Sequence, residues 1–86
     1  MKKKDFVLRE MANEYVLIPF GTDALDFNGI IKLNETAKFM WESIDSEIDT
    51  AVLKAKLIEK YSIGGAEAQN AVDIFIAQMK EAGCIG

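Results

Sequence analysis

The chain contains no histidine, one cysteine and one proline in 86 residues, and these shortages narrow its chemistry. Without histidine there is no Ser/His or Cys/His nucleophile pair and no ordinary zinc site. A lone cysteine, Cys84, cannot form an internal disulfide, so nothing points to an oxidising compartment. It is expected to serve as a small apolar residue. The glycines form no phosphate-cradling loop, because Gly64-Gly65 is followed by Ala66 rather than lysine. No apolar run approaches the roughly 20 residues that span a bilayer, and no signal-peptide core follows Met1-Lys2-Lys3-Lys4. These features predict a cytoplasmic protein with no membrane segment, no metal, no cofactor and no enzymatic activity of its own. Positive charge is also short: 10 Lys and Arg stand against 14 Asp and Glu, a net charge of −4. Nucleic-acid binding draws on cationic contacts to phosphate, so DNA and RNA are disfavoured as partners. The basic run Lys2–Lys4 reads as a solvated tail.

Half of the residues are apolar and 28% are charged, which suits one globular domain over residues 1–86. Alternating residues predict a strand over Phe6–Met11, with Phe6, Leu8 and Met11 inward. A short break at Ala12-Asn13-Glu14 and a second strand through Tyr15–Ile18 complete a hairpin that Pro19 ends. Phe20–Asp26 reads as a loop whose Asp23 and Asp26 are solvated turn residues, and Phe27–Leu33 as a third strand. The period then changes. Asn34 is placed to cap a helix from Glu35 to about Ile44, with Ala37, Met40, Trp41 and Ile44 on one face. Asp49 or Thr50 should cap a second helix burying Leu53, Leu57, Ile58 and Tyr61. Gly64-Gly65 should break the chain, and a third helix should run from Ala66 to Ala82 and stop at Gly83. The expected fold is α+β: a three-stranded antiparallel sheet followed by three helices, one sheet face covered. Such a sheet leaves an unpaired edge where another chain, or a second copy in a homodimer, can add.

Two stretches invite a functional reading. Asp45-Ser46-Glu47-Ile48, before an acidic helix, is similar to the Asp-Ser-Leu that receives phosphopantetheine in carrier proteins; a hairpin does not suit their helical bundle, and the stretch reads better as the loop between the first two helices with its capping residues. In the third helix Ala68, Val72, Phe75, Ile76 and Met79 form a core stripe. Ala71, Ile74 and Gln78 sit on its flank, where a small residue beside an exposed apolar one can wall a shallow groove. Trp41 reads as a core anchor.

Taken together, Phe6-Val7-Leu8-Arg9-Glu10, Leu33-Asn34-Glu35-Thr36-Ala37 leading to Trp41, Tyr61, Val72 with Phe75-Ile76, and Met79 before Gly83 resemble PqqD-like proteins, also called RiPP recognition elements. The resemblance runs nearly end to end. It implies a winged-helix-like, non-catalytic domain that binds the leader of a ribosomally made precursor peptide. The leader would add to the edge of the third strand beside the third helix, and the domain would pass the precursor to a modifying enzyme, often a radical S-adenosylmethionine enzyme. Carried over by position, Phe27, Asn28, Gly29, Ile30, Ile31 and Lys32 would supply the strand edge, and Ala71, Ile74, Phe75 and Gln78 the groove wall. The chain departs from the family where Ala71 replaces a frequent acidic residue before Val72, and where Cys84 follows Gly83. The competing reading is a winged-helix nucleic-acid binder, which needs a basic recognition helix. The third helix has only Lys80 against Glu67, Asp73 and Glu81.

Overall fold

The two residues between the first strands set the hairpin. In a computed structural model that describes residues 2–20 and 31–86, Ala12 and Asn13 both have positive φ, 52° and 66°. A two-residue turn of that hand matches the right-handed twist of the strands it joins. It connects β1 (Phe6–Met11) to β2 (Glu14–Pro19) in antiparallel register, from Met11 opposite Glu14 to Phe6 opposite Pro19. A third strand, β3 (Ile31–Leu33), pairs with the other side of β2, giving the order β1-β2-β3. Pro19 is the last residue of β2, and the described residues of β3 pair with Tyr15–Leu17.

Alternation assigns the two sheet faces. Phe6, Leu17 and Leu33 are buried in the core, with Leu8, Tyr15 and Ile31 half-buried against it. Lys32 lies on the opposite face and reaches Glu14 at 3.4 Å. Met11 also faces away and is half-exposed. It was expected inward, but it is five residues from Phe6, an odd number, and so falls on the opposite side of the pleat.

Three helices cover the core face. In α1 (Glu35–Ser43) the Asn34 side-chain oxygen accepts the Ala37 N–H at 2.8 Å, and Ala37, Met40 and Trp41 are buried. The Asp49 carboxylate accepts from Ala51 and Val52 and starts α2 (Thr50–Tyr61), which buries Leu53 and Leu57. Ile58 was expected in that core but is exposed, because at about 100° per residue it lies well round the helix from Leu53 and Leu57. The break after α2 falls at Ser62, whose φ is 54°, rather than at the glycines. Gly64 and Gly65 instead open α3 (Gly65–Ala82), which buries Ala68, Val72, Phe75 and Met79. At its end Gly83 has φ 81°. The Gly83 N–H donates to Lys80 and the Cys84 N–H to Met79, at 3.1 and 2.9 Å. This is the paired closure that satisfies the last carbonyls of a helix, and it carries Cys84 and Ile85 into the core.

The basic run keeps the side chains of Lys2 and Lys4 exposed, as expected, but its backbone is not a loose tail and Lys3 is partly buried. Lys2 and Gly86 exchange backbone bonds of 2.7 and 3.0 Å, the Lys4 N–H donates to Cys84, and the Lys3 N–H donates to Ser46. Residues 2–4 thus lie between the chain's end and the segment after α1. The Lys3 ammonium donates to the carbonyls of Trp41 and Ile44, each at 3.2 Å, and sits 4.4 Å from the Trp41 ring centre. A cation at a helix C-terminus satisfies orphan carbonyls and opposes the negative end of the dipole. Among the described residues no helix is long and apolar enough to cross a membrane.

Candidate functional site

A groove lies between two of the helices. Both α1 and α3 pack on α2, and where they diverge they enclose about 300 Å³ at the point where β3 passes into α1. Its floor is Met40, Ala37 and Phe75, and its sides are Asn34 and Thr36 from α1 and Glu67, Asn70, Ala71, Ile74 and Gln78 from α3. The α3 residues follow from helical periodicity. At about 100° per residue, positions 67, 70, 71, 74, 75 and 78 fall within one arc of the helix. Phe75 stands at the inner margin of that arc and is buried to 2% exposure, whereas Ile74, nearer its middle, is 59% exposed.

The chemistry of this surface is apolar with a polar rim. Ala71 is small enough to let another backbone approach. Beside it Ile74 offers the most exposed large apolar side chain among the described residues. Asn70, Gln78 and Thr36 add neutral hydrogen-bonding groups, and Glu67 is the one charged residue in the lining. Such a surface can bind and orient a ligand. Among the described residues no group of His, Cys, Asp and Glu could hold a metal ion.

Ala71, Ile74, Phe75 and Gln78, expected from the sequence as a wall, come together here. Ile31 and Lys32 do not line the groove: Ile31 rests on the core and Lys32 turns to the other sheet face. Their backbone is nevertheless at an edge, since β2 is the only described strand beside β3. Phe27, Asn28, Gly29 and Ile30 lie outside the described residues. Asn34 was read only as a cap, Ala37 and Met40 only as core, and Thr36 only as part of the signature, yet all four line the α1 side of the groove. Glu67 and Asn70 were missed as groove residues, although both precede Ala71 and Ile74 at helical spacing. The carrier-like Ser46 is elsewhere: its carbonyl accepts from Lys3 and the next residue, Glu47, bridges to Lys2.

The family model for coenzyme PQQ synthesis protein D (PqqD) matches residues 14–85. The chain belongs to the PqqD family. The match includes β2, β3, all three helices and every residue that lines the groove. The segment Leu33-Asn34-Glu35-Thr36-Ala37, which carried the resemblance to PqqD-like proteins, is here the hinge between strand edge and groove wall. No curated protein and no solved structure matches the chain. PqqD membership associates the chain with the biosynthesis named in that description, and the groove is the surface on which a role in it can be argued.

Proposed function

We propose that the chain is a non-catalytic adaptor that binds the leader of a ribosomally made precursor peptide and recruits the precursor to its modifying enzyme, in PQQ synthesis or a related RiPP pathway. The leader adds as a strand to the outer edge of β3, and its alternate side chains enter the groove between α1 and α3. The modifying enzyme belongs to the radical S-adenosylmethionine class, and the work is done in the cytoplasm. The observation that carries this reading is the open groove beside an edge strand, with Ile74 standing 59% exposed on its rim. Strand addition takes affinity from main-chain hydrogen bonds and specificity from side-chain pockets, and both parts are adjacent here. The buried, reduced Cys84 thiol is compatible with a reducing compartment.

The test is a titration of isotope-labelled protein with a synthetic leader, taken from a short precursor encoded beside this chain's gene. Amide shifts should concentrate in Ile31–Leu33 and Ala68–Gln78. Shifts confined to Asp45–Thr50 would remove the groove from the mechanism. The edge of β3 is equally open to a second copy, so sedimentation at each titration point separates peptide binding from dissociation of a dimer.

A further inference from the structure

We infer that the groove selects an extended peptide with a basic side chain two positions from a bulky apolar one, and that Glu67 reads the charge. The inference rests on the peptide-binding reading and adds the chemistry of the ligand to it.

The spacing comes from the two geometries that meet. Along a helix, at about 1.5 Å per residue, Ala71 lies about 6 Å beyond Glu67 and Gln78 about 16 Å beyond it. Side chains on one face of an extended strand repeat every ~6.6 Å. A strand lying along α3 therefore sets one such side chain over Glu67, the next over Ala71, and a further one toward Gln78. The middle position is roomy because Ala71 is small, and it is bounded by Ile74, Phe75 and Met40. A bulky apolar side chain fits it.

The position over Glu67 is electrostatically biased. Glu67 is the only charged residue in the lining and makes no ion pair with a described residue. On the facing element Glu35 stands in the first turn of α1, adding charge of the same sign. The cations that flank Glu35 in sequence are engaged elsewhere, and Lys60, the nearest to Glu67 in sequence, lies 5.4 Å from the Phe39 ring centre. Lys32 is paired with Glu14 on the far sheet face, and Lys38 lies 3.5 Å from Glu42 and 4.7 Å from the Tyr15 ring centre. A basic ligand side chain would meet an unmatched carboxylate, and an acidic one would be repelled by it.

An acid in the first turn also favours the dipole of its own helix, so the test must separate specificity from helix stability. A random linear peptide library is selected on the full chain and on the variants Glu67→Gln, Glu67→Lys and Ile74→Asp. The parent should enrich Lys or Arg two positions from Leu, Ile, Phe, Met or Trp. Glu67→Gln should keep the apolar preference and lose the basic one, and Glu67→Lys should bring acidic residues to that position. A synthetic peptide from the parent pool should bind Glu67→Gln about two- to fivefold more weakly, the scale of an exposed ion pair. Salt should erase that difference. Apolar enrichment with no basic preference, or a basic preference that persists in Glu67→Gln, overturns the inference and leaves the peptide-binding reading standing. A pool unchanged by Ile74→Asp, or no enrichment at all, overturns both.

Discussion

At Lys3, burial and charge pull in opposite directions. Burial holds its ammonium below the usual 10.5, outweighing the carboxylates of Asp45 and Glu42, which act the other way. In the folded protein Lys3 therefore releases its proton at a lower pH than in the unfolded chain. Between the lowered pKa and 10.5 the unfolded state binds more protons, so the contribution of Lys3 to stability rises with pH across that window and is constant below it. Lys3→Met keeps an apolar stem near Trp41 and removes the titration. Urea denaturation of the two proteins should show the parent gaining on the variant as pH climbs toward 10.5; a flat difference would mean burial does not dominate. Tyr61 is a simpler residue-scale case. Its hydroxyl is buried without a hydrogen-bond partner, while its ring meets Phe39 edge-on at 5.7 Å. Tyr61→Phe keeps the ring contact and removes an unpaired polar atom, so stability should hold or rise by up to about 1 kcal/mol. A loss of that size in thermal melts would show that the hydroxyl is satisfied in solution.

Elements were legible where their signals are local. Asn34 and Asp49 start helices by accepting amides within three residues of themselves, and such a signal needs no tertiary knowledge. Part of the α3 side of the groove was legible for a similar reason, since helical spacing alone sets Ala71, Ile74 and Gln78 beside each other, although Glu67 and Asn70 were missed. The α1 half was not, because Met40 and Ala37 are buried whether or not a groove opens above them. Neither was the path of Lys2–Lys4, which is held by Ser46, Cys84 and Gly86 through contacts remote in sequence. The two glycines that flank α3 show how position changes meaning. Gly83 has φ 81° with open space where a Cβ would stand, so Gly83→Ala should cost about 1–2 kcal/mol through backbone strain alone. Gly64 starts α3 with extended backbone and no side-chain cap. There Gly64→Ser should stabilise by a few tenths of a kcal/mol by supplying one. Chemical denaturation of both variants checks the contrast, and equal effects would refute the assignment of Gly83 as the strained end.

In the whole molecule, the walls of the groove are held from behind. Both α1 and α3 rest on α2, while Lys3 ties the end of α1 to the paired termini. A ligand seated in the groove would join α1 to α3 from the front, adding contacts that the unfolded chain lacks. Binding of this kind must raise apparent stability by mass action, by about 2.7 kcal/mol at a ligand concentration one hundred times Kd. Ile74 separates this effect from folding because it is exposed at the rim, so Ile74→Asp should change the ligand-free melting temperature little. The same substitution places a charge where an apolar contact is expected, and should weaken leader binding by about tenfold, on the scale of an interface residue of consequence. Thermal melts of both proteins across a leader titration test the two claims at once. The parent's melting temperature should climb with ligand, and the variant should start from nearly the same value and require about ten times more ligand for the same rise. A variant that follows the parent's curve would move the leader off this groove. A variant that melts early without ligand would show that Ile74 supports the fold rather than the ligand.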